Sequence, residues 1–207
     1  MKKFIMTCPL QGVEMDGTPK LNSVIYESDN NEKLYYGKET RFPIMNVMHA
    51  FVQKGEEVQL IVLRADYNNT EKNMELLREE VQSLESEKGC NCQIKEIVIP
   101  YNETLETHYY ELEKLVESLE NKDVIYACLT YGTKPTAMIL MMAMNYAYQM
   151  LHDVQIGCIV YGQMNHNSKK GVLFDATSMF YMDQMINKIS RMDVKEPLKT
   201  IKMLLSL

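Results

Sequence analysis

From residue 3 to about residue 160, short apolar runs alternate with segments of helical periodicity. "KKFIMTC", "EVQLIVLRA", "CQIKEIVIP", "KDVIYACLTYG" and "DVQIGCIVYG" read as strands. Helices stand between them. One opens near Arg41-Phe42-Pro43, runs through "IMNVMHAFVQK" and stops at Gly55. "TEKNMELLREEVQSLESEKG" follows, with Thr70 as cap and Gly89 as stop. "ETLETHYYELEKLVESLEN" and "KPTAMILMMAMNYAYQML" complete the set. Such alternation forces parallel strands, because each helix carries the chain back across the sheet. The expected fold is α/β: a Rossmann-like, mostly parallel sheet with helices on both faces. Right-handed crossovers give these strands the order 3-2-1-4-5, with a switch point between the first and the fourth. "KDVIYACLTYG" is nearly continuous in apolar residues, as befits a central strand buried on both faces.

A C-terminal β-hairpin is expected over residues 157–175, where "KGVLFDAT" returns beside its neighbour across the polar turn "QMNHNSK". "SMFYMDQMINKISRM" and "EPLKTIKMLLSL" read as closing helices. Residues 9–40 are polar and carry Gly12, Gly17, Pro19 and Gly37; within them "NSVIYES" and "KLYYG" are expected to pair as a hairpin. Residues 1–190 then form one Rossmann domain, and 191–207 an appended helical segment.

The net charge of −6 argues against duplex DNA as a partner, since sequence-independent DNA binding needs a broad basic face. A small anion held by local donors remains possible. Five cysteines, an odd number, and the lack of a signal-like leader suggest a reducing, cytoplasmic setting. Cys8, Cys128 and Cys158 fall in apolar runs, and Cys90 and Cys92 in a polar turn that reads as structural. The apolar run 135–151 is short for a membrane span and contains Asn145 and Gln149. No metal-ligand spacing and no nucleophile motif stands out, so neither a metal nor a cofactor is expected.

The switch point is where open α/β sheets bind ligands. Two loops should meet there: Thr7-Cys8-Pro9-Leu10-Gln11-Gly12 and Thr130-Tyr131-Gly132-Thr133-Lys134. The second leads into a helix, whose first N–H groups and partial positive charge favour an anion. Gly132 permits close approach, Thr130 and Thr133 add hydroxyls, and Lys134 adds a cation. Capping and solvation explain Thr133 and Lys134 equally well. Neither a Walker spacing nor GxGxxG is present. Arg41, just before a helix, can reach an anion or simply face solvent. His49 reads as a core histidine, His166 as solvated, Lys169 and Lys170 as a rim, and Asp175 as a helix cap.

"YACLTYGTKPTAMILMMAMNYA", "IGCIVYGQMN" and "KGVLFDATSMFYMDQMI" resemble the C-terminal half of a CRISPR-associated Rossmann-fold (CARF) domain. The likeness covers about residues 120–190; the N-terminal half agrees mainly in the order of its elements. It implies a homodimer that binds a cyclic oligoadenylate (cA4 or cA6), the second messenger of type III CRISPR systems. By this resemblance Thr7, Cys8, Pro9 and Gln11 line one loop, and Thr130, Tyr131, Gly132, Thr133 and Lys134 the other. A sensor would pass the signal to an effector domain or a separate chain. A stand-alone ring nuclease, the alternative, would cleave the messenger by attack of a ribose 2′-hydroxyl without a metal; Lys134, Thr130 and Thr7 are its candidate catalytic residues. A nucleotide-binding α/β module unrelated to CRISPR is the third reading.

Overall fold

The computed structural model describes residues 1–12, 20–67, 70–165 and 170–205, without the side chain of Asn165. Its middle is β1 (Lys2–Thr7), flanked by β3 (Glu57–Asp66) and β5 (Val124–Cys128), both parallel to it. β4 (Asn91–Pro100) continues the sheet beyond β3, and β6 (Gln155–Asn165) beyond β5, again parallel. β7 (Lys170–Asp175) pairs antiparallel with β6, and β2 (Ile25–Glu27) closes that edge. The seven-stranded order is β2-β7-β6-β5-β1-β3-β4. Omitting β2 and β7, which lie beyond β6, this is the expected 3-2-1-4-5, and β6–β7 is the expected hairpin.

Helices cover both faces because β1 is apolar on both. Phe4 and Met6 join one core with α1 (Ile44–Phe51) and α2 (Thr70–Lys88). Ile5 joins the other with α3 (Leu105–Val116), α4 (Lys134–Met150) and α5 (Thr177–Ser190). All three of these β1 side chains are at most 1% exposed, as period-2 alternation between two filled layers requires. α6 (Pro197–Leu205) buries none of its residues. No helix of the described residues is long and apolar enough to cross a membrane.

Several local expectations need correction. "NSVIYES" and "KLYYG" do not form a hairpin. Ile25–Glu27 adds instead to the sheet edge, parallel to β7, and Glu32–Leu34 is a single 3-10 turn; one antiparallel bridge, Val24 to Thr40, links the segment. Asn46 fixes that turn by donating to Leu34 O at 2.8 Å, a tertiary bond that outweighs the local strand preference. α1 ends at Phe51, before Gly55. Thr70 is not a cap acceptor: its hydroxyl donates to Ala65 O at 2.9 Å and Tyr67 O at 2.8 Å. Cys92 lies within β4, where it is buried, rather than in a turn. β5 stops at Cys128, four residues short of Gly132. Gly17, Pro19, His166 and Lys169 lie outside the described residues; Lys170 is exposed and pairs with Glu27 at 3.2 Å. Asp175 is not itself the N-cap of α5, which is Ala176; it stands one residue earlier and accepts from Thr177 N at 2.9 Å. His49 is half-buried and stacks on Tyr36, with ring centroids 4.5 Å apart.

At the amino end of β1 the sheet carries an internal ion pair. Lys3 Nζ lies 2.9 Å from Asp123 Oδ2 and donates to Ser118 O at 2.7 Å; both side chains are nearly inaccessible. Removing one partner strands a buried charge. Asp123→Ala should therefore destabilise the chain by about 3–5 kcal/mol, read from urea denaturation. The double variant Lys3→Met/Asp123→Leu should lose much less. Equal losses in the two would show that the pair is not coupled.

Candidate functional site

β1 and β5 are neighbours, so the loops leaving their carboxyl ends run side by side. They touch at Gly132, whose φ is +92°. A Cβ there would lie 2.8 Å from Thr7 Cγ2. Only glycine tolerates both that backbone and that approach, so Gly132 lets the second loop close over the last residue of β1. Thr133 then caps α4, its hydroxyl accepting from Thr136 N at 3.4 Å and lying 3.0 Å from Thr136 Oγ1. Pro135 occupies the first turn.

Among the described residues, no acceptor takes the backbone N–H groups of Gly132, Thr133 and Lys134. Lys134 is exposed and has no carboxylate partner among them. This end of α4 thus offers open donors, a dipole and a free ammonium to an anion. The capping and anion-binding readings of the sequence are compatible: Thr133 caps, and Lys134 is solvated.

The other expected site residues have different placements. The Thr130 hydroxyl accepts from Gly162 N at 2.8 Å and lies 3.1 Å from Cys128 Sγ, tying the loop to β6. Gly162 is needed there, since a Cβ would meet Pro43 Cγ at 2.7 Å. Tyr131 packs against the α1–α2 core and donates to Arg41 O at 2.7 Å; burial pushes its hydroxyl well above the usual range. Arg41 Nη1 donates to Glu80 Oε1 at 3.2 Å, while its Nε is buried with no hydrogen-bond partner among the described residues. Burial alone would raise Glu80, and it leaves that carboxyl raised despite Thr40 and Arg41. Cys8 is fully buried, and desolvation pushes its thiol up to about 12, far from a reactive thiolate. Pro9 is buried and Gln11 exposed; Asn73 Nδ2 holds both of their carbonyls, at 2.8 and 2.9 Å. Thr7, Gly132, Thr133 and Lys134 therefore converge, Gln11 lies on the loop surface, and Cys8, Thr130, Tyr131 and Arg41 build the framework behind them.

Sequence reasoning missed the group below this junction. A cavity of about 20 Å³ lies between Thr7, Leu10, Gly132, Thr136 and, from α3, Glu111. Thr7 is 3% and Glu111 4% exposed. Thr7 Oγ1 and Glu111 Oε2 are both buried with no hydrogen-bond partner among the described residues. Burial pushes the Glu111 carboxyl up to about 7, with His108 opposing and Glu103 assisting. The available signal was spacing: Thr107, Glu111 and Leu115 are the buried residues of α3 and fall at i, i+4, i+8, which puts an acid on the apolar stripe.

No group of three or more His, Cys, Asp and Glu among the described residues is arranged to hold a metal. Compared with known proteins, the chain matches no family model, and no curated protein shows significant similarity to it.

Because the folded Glu111 keeps its proton to about pH 7 while the unfolded one loses it near 4.5, stability is full below 4.5 and falls as pH rises towards 7. Between those limits the wild type should lose about 2–3 kcal/mol more than Glu111→Gln. Urea denaturation at several pH values measures this, and parallel pH profiles for the two proteins would refute it.

Proposed function

We propose that this chain is a sensor domain that binds a cyclic oligoadenylate, cA4 or cA6, across a homodimer. The observation that carries the reading is the junction of Gly132 on Thr7 beside the open start of α4. Such a junction presents amide donors, hydroxyl and ammonium to a phosphodiester at the place where this sheet topology gathers ligands. The resemblance of residues 120–190 to CARF domains supplies the identity of the ligand.

A dimer is supported by the surface of α4. Met138, Met142, Tyr146 and Met150 recur every fourth residue and are all exposed. Apolar grooves of about 280 and 500 Å³ flank this stripe, one against α3 and one against α5. A continuous apolar ridge between grooves suits burial against a matching surface. Met138 is one helical turn, about 6 Å, from Lys134. A second copy crossing there brings its own loop beside the first, so that two half-sites face one two-fold ligand.

Binding is favoured over cleavage by one specific placement. The Thr130 hydroxyl, a candidate for the ring-nuclease reaction, is committed to Gly162 N and Cys128. Lys134 is then the one candidate with a free functional group at the surface, enough to hold a phosphate and too little to assemble in-line attack.

Incubation with labelled cyclic tetra- and hexa-adenylate tests the proposal. Retention of intact ligand is expected. Linear products would make the chain a ring nuclease, and no binding to either would leave an unrelated nucleotide-binding module. Lys134→Ala should weaken binding by roughly 1–3 kcal/mol in titration calorimetry, as loss of a charge-assisted contact does. Met142→Glu should convert a dimer into a monomer in light scattering; an unchanged mass would remove α4 as the interface.

A further inference from the structure

Resting on the adenylate reading above, we propose that the Thr7–Glu111 pocket is a base-reading subsite that receives the exocyclic amino group of an adenine. The pocket has two features that call for a ligand. It contains a hydroxyl and a carboxyl oxygen, each buried and each unpartnered among the described residues. Buried polar atoms without partners are rare in folded proteins, because each forfeits the hydrogen bond it had with water. At about 20 Å³ the space holds one water or one amino group, not a ring.

The chemistry of the walls selects among ligand groups. No lysine or arginine lines the pocket. The acid on its floor would repel a phosphate once ionised, and a neighbouring anion would only raise its pKa further. Phosphates therefore belong at the Lys134 turn, on the outer side of Gly132. Above about pH 7, where Glu111 is ionised and only accepts, the floor takes a neutral N–H donor, which Glu111 Oε2 and Thr7 Oγ1 can both receive. Leu10, Ile99 and Pro100 give the pocket apolar walls, and Tyr101, packed at a tilt against Tyr67 with ring centroids 4.1 Å apart, stands half-exposed at its margin. Aromatic and aliphatic side chains beside the two buried, unpartnered oxygens of Thr7 and Glu111 are an arrangement that can read a flat heterocycle by its amino group.

The two halves of the site thus separate the tasks. The α4 turn senses charge, and the α3 acid senses the base. His108 and Glu103 are the titratable groups acting on Glu111, and Tyr101 is the other one on the wall.

Equilibrium binding of four probes to the intact chain tests this: cyclic tetra-adenylate, its inosine counterpart, AMP and IMP. Each is measured on the wild type, Glu111→Gln, which keeps an acceptor, and Glu111→Leu, which has none. Measured above about pH 7, where Glu111 is ionised, adenine probes should bind the wild type at least tenfold better than their inosine counterparts, since the 6-oxo group donates nothing to a carboxylate. Glu111→Leu should erase that ratio, and Glu111→Gln should retain most of it. Circular dichroism and the denaturation midpoint establish that both variants fold; should Glu111→Leu fail to fold, Thr7→Val takes its place. If AMP keeps the Glu111-dependent preference while the cyclic ligand does not bind, the subsite stands and the messenger assignment falls. If the cyclic ligand binds without any Glu111-dependent preference, the messenger assignment stands and the subsite falls. Binding of no adenine probe overturns both.

Discussion

Parallel pairing of β1 with both β3 and β5 is the constraint from which the rest of this molecule follows. With β1 in the middle, the chain runs outward on one side through β3 and β4 and on the other through β5 and β6. The loops after β1 and β5 leave the same end of the sheet and lead to helices on opposite faces, α1 and α4, with a crevice between them. Gly132 decides how wide that crevice is. Its positive φ and missing Cβ bring the turn down onto Thr7, which closes the floor to about one water molecule and leaves the rim polar.

The framework behind the crevice is stiff for reasons that have nothing to do with a ligand. Thr130 is bound to β6, Tyr131 to the backbone of Arg41, Arg41 to Glu80, and Asn73 to the carbonyls of Pro9 and Gln11. Each of these contacts joins segments far apart in the sequence. A loop held in this way presents its free groups without further ordering on binding, which is the condition for donors to act at full strength. Lys134, by contrast, is tethered only by its own helix and can adjust to a phosphate.

The second organising feature is α4. One of its faces fills the core under the sheet with Ile139, Leu140, Ala143, Met144 and Ala147. Another exposes a methionine and tyrosine stripe. A helix apolar over so much of its circumference is more than one layer needs to cover. The surplus is largely methionine, unbranched and adaptable in its packing. The same helix carries both the exposed methionine and tyrosine stripe and, at its start, the open amide groups beside Lys134.

Much of this was legible in the amino-acid order. Period-2 runs separated by period-3.6 segments determined an α/β sheet, the strand order, the hairpin of β6 and β7 and the glycine turn before α4, because these follow from patterns local to a few dozen residues and from the handedness of crossovers. The tertiary structure alone decided which polar groups were free. Thr130 and Lys134 look alike as donors in the sequence, yet one is bonded across the sheet to a residue 32 positions away and the other is not. Glu111 reads as one more charge on an amphipathic helix until α3 docks and carries it to the floor of the crevice. Hydrogen-bond commitment and desolvation arise between segments far apart in the chain, and only the packed molecule brings those segments together.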